Sequence, residues 1–123
     1  MGQVSAYLRS VESGFAHYCP GCEEMHYIQT KAPRANGAQW SFNGDVDKPT
    51  FSPSMRITGT YDITDDEHAR IMRGEPFTPK PYCCHYVLTA GVINYCGDCT
   101  HALVGQSVVL PPLPRKFSDE GNP

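Results

Sequence analysis

The stretch that decides the fold is Phe15-Ala16-His17-Tyr18-Cys19-Pro20-Gly21-Cys22-Glu23-Glu24-Met25-His26-Tyr27-Ile28-Gln29. Phe15 to Tyr18 reads as a strand running into a Cys-x-x-Cys turn, and Met25 to Gln29 reads as the returning strand of a hairpin. Two thiolates at such a turn can chelate one ion while neighbouring backbone amides satisfy the sulfurs, the geometry of a zinc knuckle. A second pair, Cys96-Gly97-Asp98-Cys99, follows a later hairpin, and together the two pairs would complete a tetrahedral four-cysteine site. A dithiol redox switch is the competing reading, but such motifs open a helix inside a βαβ unit and none is visible here.

Working outward, the pattern is one of short strands and turns. Eleven glycines and eleven prolines in 123 residues demand many reversals. Strands are expected at Val4 to Leu8, Gln39 to Phe42, Met55 to Tyr61, Tyr82 to Leu88, Val92 to Tyr95 and Ala102 to Leu110. Lys31 to Gly37, Asn43-Gly44 and Thr89-Ala90-Gly91 are turn or loop signals. One helix is predicted, Asp65 to Arg73, with Thr64 and Glu67 at capping-box spacing and Gly74 to end it. Its apolar face is thin, so it belongs on the surface. The expected fold is therefore mainly β: a small zinc-stapled β-hairpin and sheet domain with one short surface helix. It spans residues 1–110, with 61–81 as a helical insert and 111–123 as a Pro-rich polar tail.

Six cysteines and no secretory pattern in Met1 to Ser10 predict a cytoplasmic protein whose thiols are kept for metal. No apolar run is long enough to span a membrane. The formal net charge of −3 argues against binding nucleic acid by phosphate neutralisation, and Arg9, Lys31, Arg34 and Lys48 are too dispersed for a patch.

The chain holds more metal-capable side chains than one tetrahedral site needs. His26 follows the first knuckle, Cys83, Cys84 and His85 are consecutive, and His101 lies two residues past Cys99. Adjacent strand residues point to opposite faces, so Cys84 and His85 do not readily serve one ion. Four of these groups suffice as structural ligands. Alternatively His26, His85 and His101 converge as a polar pocket beside the ion, with Asp45 and Asp98 as the nearest acids. The loop from Asn43 to Ser54, with Thr50 and Ser52, is either turn chemistry or a source of hydroxyls and an amide for a ligand.

Taken together, Cys19-Pro-Gly-Cys22 with His26, Trp40 to Asp45, Pro49 to Ser54, Cys84-His85 and Asp98 to Gly105 resemble the DUF6527-type family of small phage and bacterial proteins of unknown function. Some of its members carry an "ammonia monooxygenase" label, which thiolate-rich surroundings speak against. The resemblance runs from Phe15 to Leu110 and implies that Cys19, Cys22, His26, Cys84, His85, Cys99 and His101 are motif positions. It also implies a role for Asn43, Thr50, Ser52 and Ser54 beyond turn making. Cys83 and Cys96 fall off the motif, which favours Cys84, Cys99, His85 or His101 as the ligands completing the zinc site. Relatives in phage genomes and beside bacterial ubiquitin-like conjugation genes imply phage–host conflict or protein modification.

Two functions follow. The favoured one is a zinc-binding module that displays a surface to a protein partner; the alternative is a zinc-dependent hydrolase using a His/Cys site beside the Asn43–Ser54 loop. The metalloprotease pattern His-Glu-x-x-His is absent, as is the His-x-Glu upstream of Cys-x-x-Cys that marks a nucleoside deaminase.

Overall fold

The computed structural model describes residues 2–31, 37 and 39–117. Two antiparallel sheets pack on one another. The first has the order β1-β2-β3, from Arg9–Val11, Gly14–Cys19 and Glu24–Gln29. The second runs β4-β5-β6-β7-β8, from Ser41–Phe42, Phe51–Thr60, Pro81–Thr89, Val92–Tyr95 and Ser107–Val109. Mainly β is therefore the class observed.

The Cys-x-x-Cys turn does join β2 to β3, with Cys19 opposite Glu24 and His17 opposite His26. Ala90 and Gly91 connect β6 to β7 with φ of 48° and 78°, the two left-handed positions of a tight hairpin. Thr50 Oγ1 accepts the Ala90 N–H at 2.8 Å and braces that turn. The helix α1, Asp65–Met72, carries both halves of its Thr64–Glu67 capping box and buries no side chain.

Four strand expectations shift, the Gln39 to Phe42 strand shortening to Ser41–Phe42. Val4 to Leu8 is not a strand, because Ser5 Oγ accepts from the amides of Tyr7 and Leu8 and bends the chain; β1 starts at Arg9. β5 begins at Phe51, through Pro53, where its register against β6 slips by a bulge between Phe51 and Met55. The closing strand shortens to β8, since residues 101–105 form turns. Pro33, Arg34 and Asn36 of the polar loop, and 118–123 of the tail, lie outside the described residues.

The core is shared by the two sheets: Leu8, Ile28 and Trp40 meet Phe51, Met55, Tyr86, Leu88, Ile93 and Leu110. Side-chain alternation along β6 controls everything that follows. Cys84, Tyr86 and Leu88 face the first sheet, while Cys83, His85 and Val87 face outward.

Candidate functional site

Two constellations grow from that alternation, one on each face of β6.

On the inner side, Cys19 and Cys22 of the knuckle meet Cys84 of β6 and His101 of the loop after β7; one ligand atom from each lies within 4.8 Å of all the others. Cys19 Sγ is 3.9 Å from Cys84 Sγ, and His101 Nε2 is 3.4 Å from the same sulfur. Metal–sulfur bonds of about 2.3 Å and metal–nitrogen bonds of about 2.0 Å make a tetrahedron with edges of roughly 3.8 and 3.5 Å. The four side chains thus already stand near the corners that a zinc-sized ion requires. Electrostatics agree. Hydrogen bonds from Cys22 and then Cys84 pull the Cys19 thiol far down, while its bond to Cys19 pushes Cys22 up to about 12. Cys84 is driven well above the ordinary thiol range, first by its bond to Cys19. A cation among the three sulfurs would favour their ionisation together.

The surroundings of the cluster are built for it. Tyr95 Oη is 3.0 Å from Cys19 Sγ; burial keeps that hydroxyl protonated, so it donates to the sulfur. The Cys22 amide also points at Cys19 Sγ, at 3.4 Å. Gly21 leaves room for His101, whose ring would stand 2.4 Å from a Cβ at that position.

On the outer side, His85 is held between Asp98 and Ser54. His85 Nδ1 is 3.1 Å from both carboxylate oxygens of Asp98, and His85 Nε2 is 3.1 Å from Ser54 Oγ. A carboxylate only accepts, so Nδ1 carries a proton, and the neutral form of the ring would present the Nε2 lone pair to the Ser54 hydroxyl. Ser54 occupies the bulge of β5, a feature that re-aims a side chain. Its carbonyl accepts from Trp40 Nε1 at 3.2 Å. Arg56, two residues along the same face, brings Nε to 3.7 Å from Asp98 Oδ2. The Asp98 loop is tied to β6: the His85 amide meets Cys99 Sγ at 3.3 Å, and the Thr100 amide donates to the Cys83 carbonyl at 2.9 Å.

The remaining expected residues sort by what they touch. Cys99 and His85 lie outside the Cys19–Cys22–Cys84–His101 cluster, and the second Cys-x-x-Cys pair does not close a four-cysteine site. Cys96 stands instead near His85 and Asp98. His26 is buried and joins no cluster with His85 or His101; its Nδ1 contacts Tyr86 Oη at 3.2 Å. Asn43 and Asp45 serve the turn: Asn43 Oδ1 accepts from the Asp45 amide and Asp45 Oδ1 from those of Asp47 and Lys48. Thr50 braces the β6–β7 turn, and Ser52 pairs with Ser41 at the edge. Of the four loop candidates, Ser54 alone meets a catalytic-type partner. In the sequence Ser54 is one of several ligand-binding hydroxyls, since nothing along the chain announces a nucleophile 31 residues from its base.

Among the described residues no helix is long and apolar enough to cross a membrane. No curated protein and no solved structure matches the chain significantly. A family model does match residues 2–96, a span that includes Ser54 and His85 and ends two residues before Asp98. That match replaces the DUF6527-type family of unknown function as the assignment. It also overturns the binding-module reading, because the matched family is described as a protease, and a hydrolase is the alternative it fits. The chain belongs to the family described as the bacterial ubiquitination-like system serine protease (BubE).

Proposed function

We propose that the chain is a serine peptidase in which Ser54 is the nucleophile, His85 the general base and acid, and Asp98 the group that orients His85. The observation that carries this is the unbroken Ser54–His85–Asp98 hydrogen-bond line, with 3.1 Å at each link. Ser54 Oγ attacks the carbonyl carbon of the scissile amide while its proton passes to His85 Nε2. Asp98 holds the Nδ1 proton and stabilises the imidazolium, and Arg56 keeps the carboxylate company. Collapse of the tetrahedral species breaks the C–N bond, and the leaving amine takes the proton from Nε2. Water then hydrolyses the Ser54 ester by the same proton route.

The second part of the reading is a zinc ion held by Cys19, Cys22, Cys84 and His101. An ion held by all four would have a structural role, because four protein ligands leave no open position. Bound there, it would join the two sheets and pin the loop bearing Asp98, three residues before His101. The hydrolysed bond belongs to a polypeptide, in keeping with the matched family's description.

A fluorophosphonate probe tests the triad. Wild type is labelled at Ser54 as mapped by mass spectrometry; Ser54→Ala and His85→Ala are not. Labelling at another serine, or undiminished labelling of Ser54→Ala, overturns the assignment.

A further inference from the structure

A groove runs between β3 and the part of β5 beyond β4, edges to which no further strand pairs among the described residues, with Trp40 capping the Gln29 and Ser54 carbonyls at one end. β3 ends the first sheet, and β4 covers β5 only at Phe51 and Ser52. Hydrogen-bond direction along β5 follows from its partner. The His85 amide and carbonyl turn toward Cys99 Sγ and the Cys96 amide, so β6 offers Cys84 and Tyr86 to β5. Met55 and Ile57 are their partners, which leaves the backbone N–H and C=O groups of Ser54, Arg56 and Thr58 pointing into the groove. Trp40 Nε1, which reaches the Ser54 carbonyl from that side, agrees with this direction.

Beneath this edge lies a cavity of about 280 Å³ floored by Met55 and Ile57 and walled by β3. Two of its lining residues, His26 and Gln29, each hold a buried polar atom without a partner among the described residues, Nε2 and Oε1. The protonation of His26 can be followed through its neighbours. His17 Nδ1 lies 3.3 Å from the Tyr18 carbonyl and must donate to it, so His17 Nε2 accepts the Tyr86 hydroxyl proton at 2.6 Å. The Tyr86 oxygen then accepts from His26 Nδ1, at 3.2 Å. That leaves a bare lone pair on His26 Nε2, 3% exposed as a residue and 4.0 Å from Glu24 Oε1. With His26 neutral, a lone pair, an amide oxygen and a carboxylate all accept, and each would be satisfied by a cationic donor.

We propose that an extended substrate chain adds as a strand to the free edge of β5 and places a lysine or arginine side chain in this cavity, against His26, Gln29 and Glu24. The proposal rests on the serine-peptidase reading for its direction, since strand addition there lays the backbone past Ser54. Main-chain pairing supplies affinity and the alternate inward side chain supplies selectivity. Because side chains alternate along a strand, the basic residue is accepted at one position and not at its immediate neighbours.

Binding to Ser54→Ala protein reads this without any turnover. The probes are acetylated, amidated nonapeptides of Gly, Ser and Leu with one lysine walked along the chain, each matched to a peptide with norleucine in its place. The single tryptophan, Trp40, sits at the groove and reports binding by its fluorescence. One lysine position should bind at least tenfold tighter than norleucine. Glu24→Gln should reduce that ratio several-fold and Gln29→Leu should reduce it further. Thr58→Pro deletes a groove-facing N–H without touching the β6 ladder, and should weaken all peptides about equally. Equal affinity for lysine and norleucine at every position overturns the proposal, as does a metal ion, detected by elemental analysis, bound at Glu24 and His26. Failure of Ser54 labelling with lysine selectivity intact overturns the peptidase reading instead.

Discussion

Replacing Gly21 by alanine isolates the metal cluster from the rest of the fold. Its φ lies outside the left-handed region, so alanine is acceptable to the backbone and the effect is one of space alone. The new Cβ would stand 2.4 Å from Cε1 and 2.6 Å from Nδ1 and Nε2 of His101, where ordinary contact begins at 3.4 Å. The ring must retreat by about 1 Å, several times the ~0.2 Å that metal–ligand distances tolerate. It has nowhere near to go, because its other side meets the Tyr95 ring with centroids 4.6 Å apart. The imidazole would therefore leave the position from which it could hold an ion. Losing a supporting hydrogen bond around a metal weakens binding by roughly 10–100-fold, so losing a ligand should exceed 100-fold, or about 2.7 kcal/mol. That binding free energy is folding free energy, and the melting temperature falls with it. Competition against a chromophoric zinc chelator reads the affinity, with thermal melting in parallel. Gly97→Ala is the control, since nothing lies within 4 Å of a Cβ there. If Gly21→Ala holds zinc as tightly as wild type and melts at the same temperature, His101 is not a ligand and the cluster has been misassigned.

Other outcomes follow from the same geometry. Ser54→Ala and His85→Ala should each lower peptide-bond hydrolysis by a factor on the order of 10⁶, and Asp98→Asn by roughly 10⁴, with circular dichroism unchanged; turnover near the wild-type rate in any of them removes that residue from the triad. Tyr95→Phe deletes the hydroxyl 3.0 Å from Cys19 Sγ and should weaken zinc binding by about 10–100-fold in the chelator assay while leaving the core packed. Burial holds His17 down at about 4, against 6.5 when unfolded. Between those pH values the unfolded chain takes the proton and the folded one does not, so the stability contributed at neutral pH drains away as pH falls from 6.5 to 4, by on the order of 3 kcal/mol. Urea melts at several pH values should show a shallower loss in His17→Gln than in wild type, with zinc release common to both; identical slopes would exclude His17 as the titrating group.

Local chemistry was written plainly along the chain. Cys19-Pro-Gly-Cys22 between two alternating runs announces a hairpin knuckle, Thr64 and Glu67 cap a helix, and Thr89 to Gly91 turns a hairpin; each depends on residues within a few positions of one another. Local signals mislead where a side chain redirects the backbone, as Ser5 does ahead of β1, and where Cys96 and Cys99 mimic the spacing of the first pair without joining its cluster.

What the sequence determined by itself was the β class, the knuckle with two thiols able to hold a cation, and a supply of histidines, acids and hydroxyls. Which of them meet was decided only in three dimensions. Period-two alternation in β6 sends Cys84 inward to the metal cluster and His85 outward to Ser54, although the two are neighbours in the chain. A bulge in β5 then turns Ser54 toward His85, and the loop after β7 carries Asp98 to one cluster and His101 to the other. Pairing register and sheet packing fix these meetings, and both are set by long-range contacts that no local spacing encodes.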